Sequence, residues 1–199
     1  MRRGLKPRVG SRGRVAVLAL NLITDFDFPD GPAVLRALTK RARPLCQLLD
    51  RARKARAPVI YANDNLGEWR SNAPALMNHC TQAHLPGAAL VKSLLPHGDD
   101  CIVLKPRHSA FFGTPLSTLL DERRIGTLVI AGISAESCVW MTACDAHTRG
   151  FNLVIPANTM AAASTKGLRL SLTGLRDVLG ARVPESAASI RFSGKSRVE

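Results

Sequence analysis

The chain has 199 residues, 46% of them hydrophobic, which suits one domain with a core of its own. No apolar run approaches the roughly 18–20 residues that span a bilayer, and the run at residues 15–20 is too short for the core of a signal peptide. Basic residues outnumber acidic ones, 28 to 15, and much of the +13 excess lies in Arg2, Arg3, Lys6, Arg8, Arg12 and Arg14 and across residues 36–56. A basic arm of this kind suits nucleic acid or an acidic surface. No recognition helix, RNA-binding signature or interleaved aromatic accompanies it, so a solvated leader and a basic helix face are the better reading. The five cysteines are odd in number, form no CxxC pair, and read as reduced thiols of a cytoplasmic protein.

Residues 1–14, rich in Gly, Pro and Arg, are expected to form a basic flexible leader, 15–184 the folded domain, and 185–199 a tail. Residues 15–20 form a continuous apolar run and read as a buried strand. It leads through Asn21 and Asp25 to the turn cluster Pro29, Asp30, Gly31. Residues 34–57 are helical in period, with Leu35, Leu38, Ala42, Leu45, Leu49 and Ala52 recurring at three and four. Pro44 must kink or split that helix. A second strand at 58–61 runs into a polar loop at 62–70, and short helices are expected over 73–83 and 88–94. The third strand is 101–104. Thr114 and Pro115 then open a helix that runs to about Arg124. Residues 127–131 make a fourth, fully buried strand, which Gly132 breaks. A helix begins at Cys138 and stops at Gly150. A fifth strand at 152–155, a helix over 165–179 and a short sixth strand at 181–183 complete the domain.

Strands alternating with helices predict an α/β fold: a three-layer αβα, doubly wound, mostly parallel sheet of six strands. Such sheets place ligands at the carboxyl ends of their strands. That rim gathers Asn21 and Asp25, Asp64, Lys105 and Cys138. Each also has an ordinary explanation: a surface lysine, a capping carboxylate, an Asx-turn, a cysteine packed as a small hydrophobe. Cys138 differs in its place between a strand and a helix N-terminus, where unpaired N–H groups favour a thiolate. Phe26, Phe28, Trp69, Phe111 and Phe112 flank these segments and suit pocket lining or plain core packing. Trp69 with Arg70 would suit a small substrate with an apolar body and an anionic end.

Four collinear segments, 21–29, 61–70, 104–113 and 132–139, resemble the isochorismatase-like cysteine hydrolases, the superfamily of nicotinamidases and N-carbamoylsarcosine amidohydrolases. The likeness covers residues 15–183. It implies that Lys105 is the catalytic lysine and Cys138 the nucleophile. A cis peptide at Ile133–Ser134 would shape the oxyanion hole with the Cys138 N–H. The family's acid–base aspartate falls on Asn21. Asparagine has no titratable proton at neutral pH, and losing a positioned acid–base group typically costs about 10²–10⁴ in rate. Asp25 and then Asp64 are the candidate substitutes, with Lys105 itself a third. Nicotinamidases of the family bind a metal through an Asp-x-His pair and a further His. Here the matching residues are Asp64, Asn65 and Leu66, so neither metal nor cofactor is expected. What the resemblance implies is a homo-oligomeric hydrolase of C–N bonds other than peptide bonds, acting on a small molecule. Two other readings stand beside it: a catalytically idle member that binds a small molecule or a partner, and a nucleic-acid-associated protein using its basic leader.

Overall fold

In the computed structural model, residues 13–192 are described. All but the end of the expected leader lies outside them, as do residues 193–199 of the tail. The apolar runs become strands: β1 (Arg14–Leu20), β2 (Val59–Asp64), β3 (Cys101–Lys105), β4 (Ile125–Gly132) and β5 (Asn152–Val154). They form one sheet in the order β3-β2-β1-β4-β5, with every pairing parallel.

Because side chains alternate across a strand, β1 feeds both halves of the core. Val15, Val17 and Ala19 pack with Leu38 of α1 (Gly31–Thr39), with Leu45 and Leu49 of α2 (Ala42–Lys54), and with Leu76 of α3 (Ala73–Cys80) and Val91 of α4 (Ala88–Ser93). On the other face, Ala16, Leu18 and Leu20 meet Leu116 and Leu120 of α5 (Leu116–Glu122). Ala143 and Ala146 of α6 (Trp140–Thr148) and Leu175 of α7 (Thr165–Asp177) close that side. The strand order reverses at β1, which lies between β2 and β4. The crevice outside the carboxyl ends of β1 and β4 is therefore where this topology places a ligand.

The sheet has five strands rather than six. Residues 181–183 contribute a single bridge, Val154 to Arg182, held by Arg182 N–H to Leu153 O at 2.9 Å and Ile155 N–H to Arg182 O at 2.8 Å. Pro184 has no N–H to donate to Ile155 O, which breaks the ladder, and the segment goes on only through bonds it accepts, such as that from the Ala157 N–H to Pro184 O at 2.8 Å. The long periodic stretch is indeed two helices, but the break falls at Lys40 and Arg41. Pro44 sits in the first turn of α2, where its missing N–H has no intrahelical partner to lose. β2 runs three residues past its expected end, so Asn63 is a buried strand residue whose Nδ2 donates to Ile23 O at 2.7 Å. Residues 187–190, expected as tail, dock on α2: the Arg51 guanidinium donates to the carbonyls of Ala187, Ala188 and Ile190. Among the described residues no helix is long and apolar enough to cross a membrane.

Candidate active site

Asn21 is the first residue beyond β1 and takes φ +49°, a left-handed conformation that asparagine tolerates better than most residues. Its Oδ1 accepts from the Asp64 N–H at 3.0 Å, and its Nδ2 donates to Cys138 Sγ at 3.2 Å. Lys105 closes β3 and is fully buried. Its Nζ lies 3.5 Å from Cys138 Sγ and 3.6 Å from Asp64 Oδ2, and it donates to Arg107 O at 3.1 Å. A buried ammonium needs such partners, since an unpaired charge away from water is costly.

Cys138 does not open an α-helix. It lies in a π-helical turn, Ala135–Val139, that precedes α6; such turns recur at functional sites. The chain enters this turn through Gly132 at φ +124°, where a Cβ would stand 2.1 Å from Leu20 O. The peptide bond between Ile133 and Ser134 is cis. Hydrogen bonds then fix the turn from outside: Ile133 N–H to Leu20 O, Ala135 N–H to Ala161 O, and Ala163 N–H to Glu136 Oε1. The N–H groups of Ser137 and Val139 both reach Ser134 O.

A third group approaches the sulfur. His108 Nδ1 lies 3.6 Å from Cys138 Sγ. It is absent from the candidates drawn from sequence; its place three residues beyond Lys105, on the same rim, is the signal that could have found it. The loop that carries it is strapped to α6. Ser109 Oγ donates to Asp145 Oδ2, and the Ala110 N–H donates to Thr142 Oγ1 at 3.0 Å. Arg149, bonded to Asp145, lies 4.7 Å over the Phe111 ring. Among the described residues, Asn21, Lys105 and His108 are the side chains within hydrogen-bonding reach of Sγ.

These groups meet at a cavity of about 600 Å³. Its wall carries five carboxylates, those of Asp25, Asp27, Asp30, Asp64 and Glu136, and among the described residues no lysine or arginine lines it. The Asp25 carboxylate is taken up by the Asp27 N–H at 3.0 Å and His79 Nε2 at 2.9 Å. That of Asp64 accepts from the Leu66 N–H at 2.9 Å and faces Lys105. Of the flanking aromatics only Phe28 lines the cavity. Phe26 is buried with its ring where a Gly87 Cβ would fall, and Phe111 packs on Phe151. Trp69, Phe112 and Arg70 are exposed and away from it. The anionic end expected from Arg70 therefore has no counterpart in this wall.

The isochorismatase domain family matches residues 16–187. The chain belongs to the isochorismatase family. It is 31% identical over 173 residues to the isochorismatase family protein YaaI of Bacillus subtilis, covering 87% of this chain and 94% of that one. It is 28% identical over 170 residues to the N-carbamoylsarcosine amidase of an Arthrobacter species, covering 79% of this chain and 63% of that one. Among solved structures, an isochorismatase-like hydrolase from Alkaliphilus metalliredigens has the same fold, with a TM-score of 0.71 at 20% identity over 89% of this chain and 94% of that one.

Within the isochorismatase family some nicotinamidases carry a metal, and the residues here do not fit that site. Asp64 has its oxygens on Leu66 N–H and Lys105, Asn65 Oδ1 accepts from the Gly67 N–H at 3.1 Å, and Leu66 has no donor atom. Among the described residues no three His, Cys, Asp or Glu side chains are grouped as metal ligands.

Proposed function

We propose that this isochorismatase-family hydrolase cleaves a small amide or related C–N bond with Cys138 as nucleophile. The observation that carries the reading is the convergence of Asn21 Nδ2, Lys105 Nζ and His108 on one sulfur at the wall of a cavity. Hydrogen-bond donors and a cation within a few ångström stabilise the negative charge that the sulfur carries once its proton has left. The thiolate attacks the substrate carbonyl. The oxygen that gains charge lies against the backbone of the cis Ile133–Ser134 bond and the Cys138 turn, where fixed dipoles stabilise it. Release of the amine leaves a thioester, which water hydrolyses.

The acidic wall narrows the substrate. Away from the sulfur and its Lys105, an anionic group would meet five carboxylates and, among the described residues, no lining lysine or arginine, so the cavity favours neutral or cationic amides. Asn21 can hold the sulfur but cannot carry its proton. That favours a second reading, an idle member that only binds such molecules. All five cysteines are free, which suits a reducing compartment such as the cytoplasm, and the family likeness suggests a homo-oligomer.

The test is a panel of small carboxamides, N-carbamoyl amines and ureido compounds, neutral, cationic and anionic, followed by mass spectrometry. Turnover by the wild type and none by Cys138→Ser supports hydrolysis. Binding without turnover across the panel gives the idle reading.

A further inference from the structure

The family's proton carrier is missing at Asn21, and the neighbouring carboxylates are engaged elsewhere: Asp25 on His79, Asp64 on Lys105. His108 is not. Its Nδ1 faces Cys138 Sγ at 3.6 Å, and it lines the same cavity as the sulfur. Imidazole is the side chain suited to take and return a proton near neutral pH. A cysteine beside a histidine is a nucleophile–base pair in its own right. We propose that His108 is the general acid–base of this site, replacing the absent aspartate, and that Asn21 has become a hydrogen-bond donor to the sulfur. This rests on the Cys138 hydrolase reading.

The steps balance with water as the one further reactant. Neutral His108 takes the Sγ proton on Nδ1, and the sulfur forms a C–S bond to the carbonyl carbon as the π pair moves to oxygen. Collapse breaks the C–N bond, and the imidazolium proton goes to the departing nitrogen. A water then gives its proton to His108 while its oxygen attacks the thioester. The C–S bond breaks, the imidazolium returns its proton to Sγ, and the acid leaves with the site restored.

The pair is held in place by its surroundings. Ser109 and Ala110, the next two residues, are tied to Asp145 and Thr142 of α6, the helix that continues from the Cys138 turn. The charged groups nearest the pair are Lys105, 3.5 Å from the sulfur, and, along the cavity wall, Asp25, Asp27, Asp30, Asp64 and Glu136.

Two readouts test this. The first is iodoacetamide alkylation of Cys138, followed by peptide mass spectrometry between about pH 5 and 8, in the wild type and His108→Gln. A rate that stays high toward the acid end, and is lost there in His108→Gln, is expected. Superimposable profiles overturn the proposal. The second compares p-nitrophenyl acetate, whose leaving group needs no proton, with a small p-nitroanilide. His108→Gln should cut anilide turnover about 10²–10⁴-fold and the ester burst far less, and Asn21→Asp in the His108→Gln background should restore anilide turnover. Equal loss on both substrates overturns the acid role. A wild type inert toward both substrates counts against the hydrolase reading and takes the acid role with it, whereas turnover with superimposable alkylation profiles overturns the role of His108 alone.

Discussion

Asn21 and Asp64 fix each other across the rim of the sheet: the Asp64 N–H donates to Asn21 Oδ1, which leaves Nδ2 facing Cys138 Sγ. The amide cannot turn without placing two donors together. An aspartate there would keep the bond to Asp64 with one oxygen and set the other against the sulfur. Asn21→Asp should therefore slow Cys138 alkylation at neutral pH several-fold, because a like charge opposes the thiolate. In a His108→Gln background it should raise amide turnover by at least about tenfold. Movement of both rates in one direction would contradict this account of Asn21.

Lys105 is fully buried between Asp64 and Cys138, and its removal separates chemistry from stability. Lys105→Met fills the same volume without the charge, and the half-exposed Asp64 carboxylate can turn to water. Alkylation of Cys138 should fall roughly tenfold, while urea unfolding changes by less than about 2 kcal/mol. Cys80 serves as the silent control, its thiol pushed up to about 12 by burial, with Asp25 adding to it.

Gly132 is required by backbone geometry. Alanine would combine φ +124° with a Cβ 2.1 Å from Leu20 O, at the point where β4 hands over to the Cys138 turn. Gly132→Ala should lose at least about 2 kcal/mol in urea unfolding. Wild-type stability would mean that the turn tolerates another path.

Stability should decline on the alkaline side. Burial raises the Cys80 thiol from 9.0 to about 12, and burial also raises the Tyr61 phenol above its ordinary 10.0, even with Arg53 beside it. Both groups stay protonated in the folded chain after the unfolded chain has lost the proton. The thiol's contribution is complete below about pH 9 and drains away between there and about 12, while the phenol's begins to drain only above about 10. Melting temperatures across that range should fall more gently in Cys80→Ala than in the wild type; identical slopes would remove the thiol as a cause.

The sequence made the frame of the molecule plain where one residue pattern admitted one outcome. The β-branched and apolar runs of β1 and β4 could satisfy their side chains only in a sheet covered on both faces, and the topology then brought Asn21, Lys105 and Cys138 to one rim. What stayed hidden depended on contacts across long separations. The π-helical turn is imposed by bonds from Leu20, Ala161 and Ala163, none of which is written into the local pattern of 135–139. The sixth strand failed on Pro184, whose alignment with Ile155 only the fold reveals. His108 has no periodicity to betray it, because its role comes from a loop fastened to α6 by Ser109 and Ala110. The flanking aromatics misled for the opposite reason: proximity to a motif in sequence left Phe26 and Phe111 in the core and Trp69 in solvent.

The chain carries a net charge of +13, yet the cavity is walled by carboxylates. From a distance the molecule repels a small cation; at the mouth of the cavity it draws one in. Ionic strength divides the two effects, since the screening length is about 10 Å at 0.1 M salt and the wall acts over less than that. Added salt should therefore quicken capture of a cationic ligand at first, the reverse of the slowing seen where long-range attraction steers the partner in.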